Sequence, residues 1–426
     1  MVYAQGALFA EWLDAFGESR AKTASVGTLA TSMMEASGVF SGIMIAKFGE
    51  RPCCLVGGLT AACGLLLSSL ATQLWHLHLT FGVLVGLGYS LSLFSGVVLM
   101  NRWFSSHKAL ASGIGNVGAG AGTLSFGLLM PGLMAGLGWR AALRFLAAGT
   151  LSLCVTAGLL RHPTAADAMH HPIAKEIGAR PMVQREPDLE PELHQGPDQR
   201  VGLELEPKQG LGQQRQPPVK EEEGSTVVSC GELCANERLR QVMAATTCHA
   251  FGIWIPLVYL SKVADDAGFT DAESDSIVNF IGIGSITIRI PMMLLADRFG
   301  CNLMASAVLI VFGLVNVTVA VALATSGDRL LLLQSLATLS GACLGTLMSV
   351  TSPLAAECVP MAAMAQAVTA TYSCLAVGIF LGAPLAGLLF AWTGDMAAAF
   401  VFAAIMLFLA AGILNAPRQR GAAYTP

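Results

Sequence analysis

Long apolar stretches separated by short polar segments dominate this chain. In the first part they cover 24–46, 53–71, 75–100, 109–133 and 141–160. In the second part they cover 240–260, 277–296, 301–324, 330–353, 364–391 and 397–415. Each stretch is close to the roughly 20 residues that an α-helix needs to cross a bilayer. The pattern therefore predicts an all-α polytopic membrane protein with eleven full spans.

A shorter apolar segment, residues 2–16, precedes the first full span. At helical rise it reaches only ~22 Å, less than the ~30 Å hydrocarbon core of a bilayer. We interpret it as the second half of an incomplete first helix in a truncated chain. The prediction is then two six-helix bundles. The domains are an N-terminal bundle at 1–162, a loop at 163–236, a C-terminal bundle at 237–417 and a tail at 418–426.

The loop at 163–236 is rich in proline, glycine, glutamine and acidic residues, and it has no sustained apolar periodicity. Such a composition predicts disorder. We expect a flexible tether between the two bundles, with a regulatory or docking segment as the alternative.

Composition and the absence of certain motifs exclude several classes of function. Hydrophobic residues make up 54% of the chain and charged residues 12%. The sequence contains no phosphate-binding glycine loop, nucleophile elbow or metal-binding helix motif. The cysteines are scattered through apolar segments, without the second pair that a zinc site needs. We therefore expect no enzyme activity, no metal or other cofactor, and no nucleic-acid partner.

Two short segments support a duplication of the bundle. Residues 42–51 (GIMIAKFGER) follow the second span, and residues 293–302 (MLLADRFGCN) follow the eighth. Both resemble the G-x-x-x-D-R-x-G loop of major facilitator proteins, so the resemblance implies the major facilitator fold. It also implies a glycine turn whose charges lock neighbouring helix ends. The implied gating residues are Gly49, Arg51, Asp297, Arg298 and Gly300.

The two copies differ in their acidic position. The second copy has Asp297 but carries Met293 at the leading glycine position. The first copy has Gly42 in that place, but Ala46 stands where the acid belongs. We expect the first lock to be the weaker one.

Residues 103–120 (WFSSHKALASGIGNVGAG) carry a more specific likeness. They resemble the signature of the monocarboxylate transporters, solute carrier family 16. The resemblance extends to 9–19, 138–140 and 251–260. Arg102 and Lys108 should hold the cytoplasmic face, while Gly113 begins a smooth helix surface on which a neighbour can slide.

Arg289 lies inside the apolar stretch 277–296, where an arginine is costly and usually functional. It matches the arginine of the eighth helix in this family, which implies that its guanidinium pairs with the substrate carboxylate. The alternative is a structural pair with an acid such as Glu35. Ser285 stands where proton-coupled lactate carriers of the family have an aspartate. Alignment on Tyr3, a further candidate for substrate binding, places Ala7 at the family's first-helix lysine.

Glu35 lies midway along the second span. A desolvated carboxyl group there could take a coupling proton. It could instead bind the cationic group of an amino-acid-like substrate, or simply reach the lipid headgroups. In the tenth span, alignment suggests Leu344 and Met348 as cavity residues, with packing as the alternative.

Lysines and arginines in the short loops set the expected orientation. They concentrate on one side, which we predict to be cytoplasmic: Lys47, Arg51, Arg102, Lys108, Arg298, Arg418 and Arg420. Both termini and the long loop would then be cytoplasmic. The resemblance implies the plasma membrane and allows a single-span glycoprotein as accessory subunit.

The leading hypothesis is alternating-access transport of a small organic anion, above all a monocarboxylate, driven by its own gradient or by a proton. Within transport, the alternative is an amino-acid or keto-acid facilitator of the same family. The alternative of another class is a membrane sensor or partner protein that transports nothing.

Overall fold

The computed structural model describes residues 4–104, 107–160, 228–266, 269–324 and 330–417. These residues form helices joined by short connections, without a β-strand among them. The predicted all-α fold is therefore confirmed. The predicted tail at 418–426 and most of the predicted loop lie outside the described residues. The bundle boundaries at 162 and 237 stay a prediction.

The described residues of the first half form eight helices and one π-helical stretch. They are α1 (Ala4–Phe16), α2 (Arg20–Ala36), α3 (Gly38–Phe48), α4 (Glu50–Ser69), α5 (Leu74–Leu77), the π-helix His78–Val85, α6 (Gly86–Trp103), α7 (Lys108–Thr150) and α8 (Ser152–Leu159). Helix α7 holds the predicted fifth span and the start of the sixth, which a break at Gly138 (φ 76°) separates.

In the second half, the residues that the structure describes form eight further helices and a short 3-10 turn. They are α9 (Cys230–Ala235), α10 (Glu237–Asp266), α11 (Asp271–Thr287), α12 (Arg289–Phe299), α13 (Cys301–Ala324), α14 (Leu330–Ala356), the 3-10 turn Met361–Ala363, α15 (Met364–Thr393) and α16 (Ala397–Leu414). The short helix α9 falls in the last part of the predicted loop, where the sequence indicated disorder. Its start is fixed by the side chain of Ser229, which accepts a hydrogen bond from the N–H of Gly231 at 3.2 Å.

Seven helices in the described part of the chain are long and apolar enough to cross a membrane. The number becomes nine when each of two bent helix pairs counts as one span. These helices indicate a multi-pass membrane protein. They correspond to nine of the eleven predicted spans, and the predicted spans at 109–133 and 240–260 lie within α7 and α10 without passing the same test.

The two bent pairs occupy equivalent places in the two halves. Helices α2 and α3 meet at an angle of 43° around Ser37, and α11 and α12 meet at 42° around Ile288. Each break lies in a span that ends in one of the repeated loops.

Each half has its own apolar core, and a third cluster joins the halves. In that cluster Ile45 and Phe94 of the first half pack with Ala355, Val368 and Tyr372 of the second. The halves meet where α2 and α3 lie against α15 and where α7 lies against α12 and α14. We call the end of the bundle that carries Lys47, Arg102, Lys108 and Arg298 the basic end.

Candidate functional site

Arg289 begins α12, directly after the break at Ile288. Its side chain is buried, and it bonds to both halves of the molecule. One terminal nitrogen, Nη2, donates to the Ser285 hydroxyl at 2.8 Å, one turn earlier in the same span. The other, Nη1, donates to the backbone carbonyl of Asn116 in α7. Both acceptors are neutral, so the guanidinium charge is solvated by dipoles rather than by a carboxylate at these two contacts.

A close helix contact encloses this guanidinium. Helix α14 approaches at Gly345, where an added Cβ atom would lie 2.7 Å from the Ser285 carbonyl oxygen and 3.0 Å from Nη2 of Arg289. Only glycine leaves this space. The same helix face approaches α11 at Gly341, whose Cβ would overlap the Ile281 carbonyl oxygen at 1.9 Å. Glycines therefore bring a backbone wall against the charged group.

Glu35 lies two residues before the break in the second span, the place that mirrors Arg289 in the eighth. Its side chain is buried, with 9% of its surface exposed. The Oε2 atom accepts no hydrogen bond from any residue that the structure describes. A buried carboxyl oxygen without a partner is expensive as an anion. Glu35 therefore suits a group that carries a proton in this state.

Tyr372 in α15 lies where the two halves meet, and sequence reasoning missed it. Its hydroxyl donates to the Met348 carbonyl oxygen at 3.0 Å. Its ring packs on Phe94 of the first half, with the ring centroids 5.5 Å apart. Tyr372 therefore contacts both halves of the molecule.

The structure brings several of the predicted site residues together and separates others. Arg289 and Ser285 are in direct contact, whereas Glu35 is buried in the other half of the molecule. Met348 takes part through its backbone carbonyl. Leu344 packs partly buried on the apolar core of the second half, which favours the packing alternative. Tyr3 lies outside the described residues.

Asp297, from the second repeated loop, crosses to the other half of the molecule. Its two carboxylate oxygens accept the backbone N–H groups of Ala109 and Leu110, each at 3.0 Å. These N–H groups open α7, where the helix dipole favours a negative charge. Gly300 (φ 94°) ends α12 and makes the turn possible. The predicted acid of this loop therefore contacts a helix start rather than a basic side chain.

The charged side chains of the first repeated loop bond within their own half. Glu50 is fully buried and forms an ion pair with Arg102 at 2.8 Å. Arg51 donates to the Leu160 carbonyl at the end of α8. Gly49 (φ 84°) supplies the left-handed turn before them. Gly49, Arg51 and Arg102 were predicted from the sequence. Glu50 was not predicted, because the motif places the acid at position 46.

The remaining predicted gating residues lie around the same end. Gly113 faces Met293, whose Cγ would lie 2.5 Å from an added Cβ. The Arg298 guanidinium lies 5.7 Å from the centre of the Phe299 ring and is exposed. Lys108 is the first residue of α7 and half-buried.

Two cavities lie elsewhere in the bundle. One, between α10, α13, α14 and α16, is small and has His249 and Thr351 in its wall. The other, of about 260 Å³, lies in the first half and is lined by Leu8, Tyr89 and Thr150 among others. Neither of these two cavities is lined by Glu35 or Arg289.

Comparison with protein families identifies one match over most of the chain. The model of the Major Facilitator Superfamily matches residues 1–209 and 242–423. The duplicated arrangement of the two halves, the repeated loops and the matching family agree with one another.

Curated relatives carry the closer likeness that the signature at 103–120 indicated. Monocarboxylate transporter 14 of Homo sapiens is 35% identical over 178 residues, covering 42% of this chain and 35% of its own length. Monocarboxylate transporter 13 of Rattus norvegicus is 33% identical over 156 residues, covering 37% of this chain and 36% of its own. The match spans about a third of the length of these relatives. The predicted resemblance to monocarboxylate transporters is confirmed.

Solved structures agree on the fold. The fucose:proton symporter FucP of E. coli has a TM-score of 0.66 at 12% identity, covering 98% of this chain and 96% of its own. A second FucP structure, in an outward conformation, gives 0.65 at 13% identity with the same coverage. These neighbours and the relatives are transporters, which confirms the prediction that the chain is not an enzyme.

Proposed function

Because the chain belongs to the major facilitator superfamily, we propose that it carries a small organic anion, above all a monocarboxylate, across a membrane by alternating access. The observation that supports this most is Arg289. It is a buried guanidinium at a helix break, and it bonds to α7 of the other half through Asn116. A ligand that binds there contacts both halves at once, as alternating access requires.

The chemistry of Arg289 favours a carboxylate ligand. A guanidinium offers five N–H donors in a planar fork that matches the two oxygens of a carboxylate. Its present acceptors, the Ser285 hydroxyl and the Asn116 carbonyl, are neutral. A carboxylate would supply charge-assisted hydrogen bonds, which are about twice as strong as neutral ones. Substrate binding would therefore replace the neutral hydrogen bonds of Arg289 with stronger, charge-assisted ones.

Glu35 would carry the coupling proton. Its buried and unpartnered Oε2 atom favours the neutral form in the empty site. A proton on Glu35 also keeps the loaded site neutral, since the substrate carboxylate and Arg289 already cancel. If Glu35 carries no proton across, the same site would work by facilitated diffusion. Uptake measured at two pH values distinguishes proton-coupled transport from facilitated diffusion.

The closed basic end provides the gate. In this arrangement Asp297 binds the start of α7, and α3 packs on α15. Opening toward the other side of the membrane would break these contacts and separate the halves around Arg289. We place the basic end in the cytoplasm, following its lysines and arginines. Both termini would then be cytoplasmic, and the plasma membrane and a single-span glycoprotein partner follow from the resemblance.

The test is uptake of a labelled monocarboxylate panel by the protein reconstituted in vesicles. We expect Arg289→Ala to abolish uptake, because a truncated charged hydrogen-bond partner typically costs at least ~2 kcal/mol, or roughly 30-fold in affinity. Arg144→Ala is the matched control, since Arg144 is exposed and its Nε atom donates to the Ser69 hydroxyl at 3.3 Å. Normal uptake by Arg289→Ala would overturn the proposal.

A folded wild-type protein that takes up none of these anions would favour the sensor or partner alternative. Folding is checked separately by a single symmetric peak on size exclusion and by a cooperative thermal transition. These controls distinguish an inactive protein from a damaged one.

A further inference from the structure

Helix α6 ends with two neighbouring polar residues that bond in opposite directions. Arg102 pairs with Glu50 of its own half. Asn101 is buried, and its amide nitrogen Nδ2 donates to the hydroxyl of Ser352 in α14, which belongs to the other half. Ser352 is fully buried as well. This hydrogen bond therefore joins the two halves of the molecule through α6 and α14.

The amide oxygen of Asn101 has a less favourable environment than the nitrogen. Nδ2 also donates to the Val97 carbonyl at 2.8 Å, one turn earlier in α6. The oxygen, Oδ1, is buried and accepts no hydrogen bond from any residue that the structure describes. Burial of an acceptor without a partner costs free energy. The amide therefore stabilises the contact between the halves with its nitrogen and destabilises the same arrangement with its oxygen.

Asn316 in α13 provides an internal comparison. It is buried, and its Nδ2 donates to the Phe312 carbonyl at 2.9 Å, one turn earlier in the helix. Its Oδ1 is also buried without a partner among the described residues. The principal neighbours of α13 are α14 and α16, both of the second half. The two asparagines thus share a local geometry, and the bond across the halves to Ser352 distinguishes Asn101.

We propose that Asn101 is a gating residue of the basic end, whose amide nitrogen helps to close this end while its amide oxygen keeps the closure reversible. In the alternating access proposed above, on which this inference rests, the halves must separate here and rejoin. When they separate, the Ser352 hydroxyl and Oδ1 both become able to bond to water. Opening therefore loses one hydrogen bond between the halves and relieves one unpaired acceptor, and these effects have opposite signs.

The two effects also differ in size. Net of the bond that water would supply, a neutral hydrogen bond changes an equilibrium constant by roughly two- to tenfold. A buried acceptor without a partner changes it by roughly five- to 150-fold. The oxygen therefore outweighs the nitrogen, and the Asn101 amide as a whole favours the open state. The bond to Ser352 aligns α6 with α14 on closing, while the oxygen makes the closed state easier to leave.

Two substitutions, made one after the other, separate the nitrogen from the oxygen. Ser352→Ala removes the acceptor of the bond across the halves but leaves Oδ1 buried in the closed state. We expect the ratio of open to closed protein to rise by roughly fivefold. Adding Asn101→Leu then removes the unpaired oxygen, and the alanine leaves room for the leucine methyl group. The ratio should fall below that of wild type.

The measurement is the distance between spin labels on the two halves at the basic end. Labels at exposed Phe48 and Met361 report the open and closed populations of the full protein in vesicles. If the bond to Ser352 were a simple fastening, the second substitution would change nothing further, since the bond is already lost. A double variant that stays as open as Ser352→Ala would therefore overturn the inference, as would one unchanged distance in all variants.

Asn316→Leu is the matched control. It removes the same kind of unpaired oxygen from a site within one half, so we expect the label distance to stay as in wild type. A shift equal to that caused by Asn101→Leu would mean that the oxygen acts through general stability and not through the gate. Should the double variant with leucine not fold, Ser352→Ala/Asn101→Ala also removes the oxygen and should again be less open than Ser352→Ala.

Uptake of labelled 4-hydroxybutanoate, a small monocarboxylate, in the same vesicles distinguishes the two possible failures. If uptake depends on Arg289 but the label distances do not reverse in the double variant, this inference falls and the proposed function stands. If the distances reverse as expected but folded protein takes up no monocarboxylate, the gating role of Asn101 stands and the proposed substrate class falls.

Discussion

The two repeated loops share a sequence pattern but make different contacts. The first, at Gly42–Arg51, closes within its own half through the buried pair of Glu50 and Arg102. The second, at Met293–Asn302, reaches the other half, where Asp297 binds the start of α7. The position of the acid decides the difference. The acid before the glycine turn binds a helix of the other half, whereas the acid after the turn pairs with a neighbouring helix of its own half.

The first loop still helps to close the basic end, but it does so by packing. Ala46 is buried, and Gly42 lies so close to α15 that an added Cβ would be 2.0 Å from the Thr369 hydroxyl oxygen. The halves are therefore held by close backbone contact on one side and by a charged helix cap on the other. Three substitutions test this division, in order of expected effect.

The largest effect should follow Glu50→Gln. Removing one partner of a buried ion pair typically costs 3–5 kcal/mol, and partial exposure of Arg102 reduces this to roughly 2 kcal/mol or more. We expect that loss in the free energy of unfolding in detergent, with little change in the balance between open and closed states. The double variant Glu50→Gln/Arg102→Gln should recover part of the loss. A loss no greater than that of the exposed control Glu18→Gln would contradict the assignment.

Gly42→Ala should come next. The new methyl group would meet the Thr369 hydroxyl at 2.0 Å and the Gln366 Cα atom at 3.1 Å, so α3 and α15 must move apart. Overpacking of this kind typically destabilises a structure by about 1–3 kcal/mol. Here only the closed state would be destabilised. Spin labels at exposed Phe48 and Met361 should show a longer distance. Gly118→Ala is the control because nothing lies within 4 Å of its Cβ position, and equal behaviour of the two variants would refute the packing contact.

Asp297→Ala should have the smallest effect of the three. Loss of a helix N-cap costs about 1 kcal/mol, or roughly fivefold in an equilibrium constant. Because Asp297 caps a helix of the other half, this change should populate the state with the basic end open, as measured between labels at exposed Ile114 and Phe299. Asp395 caps α16 within its own half, through the Ala397 N–H at 2.8 Å. Asp395→Ala should therefore leave that distance unchanged, and a parallel shift in both variants would argue against a latch.

Much of the fold could be predicted from the sequence because the bilayer imposes a simple length and polarity rule on each span. The turns at Gly49 and Gly300 were predictable from the repeated motif. Arg289 was conspicuous because a buried charge is rare in an apolar stretch. These features depend on local composition, which a single sequence displays.

The contacts between halves were less predictable. Tyr372 lies in an apolar helix without a pattern that marks which face meets Phe94 of the first half. The Asn116 partner of Arg289 is a backbone carbonyl, which every residue possesses. Glu50 stood four positions after Ala46, the place where the motif led us to seek an acid. Leu344 was suggested by alignment alone, and alignment does not tell whether a side chain faces the cavity or the core.

The central claim is that Arg289 binds the carboxylate of the transported anion. Calorimetric titration of 4-hydroxybutanoate into wild type, Arg289→Lys and Arg289→Ala tests it most directly. We predict graded weakening, because lysine keeps the charge but loses the planar fork. The loss for Arg289→Ala should be at least roughly 30-fold, whereas Arg144→Ala should bind as wild type does. Equal affinity in wild type and Arg289→Ala would contradict the account.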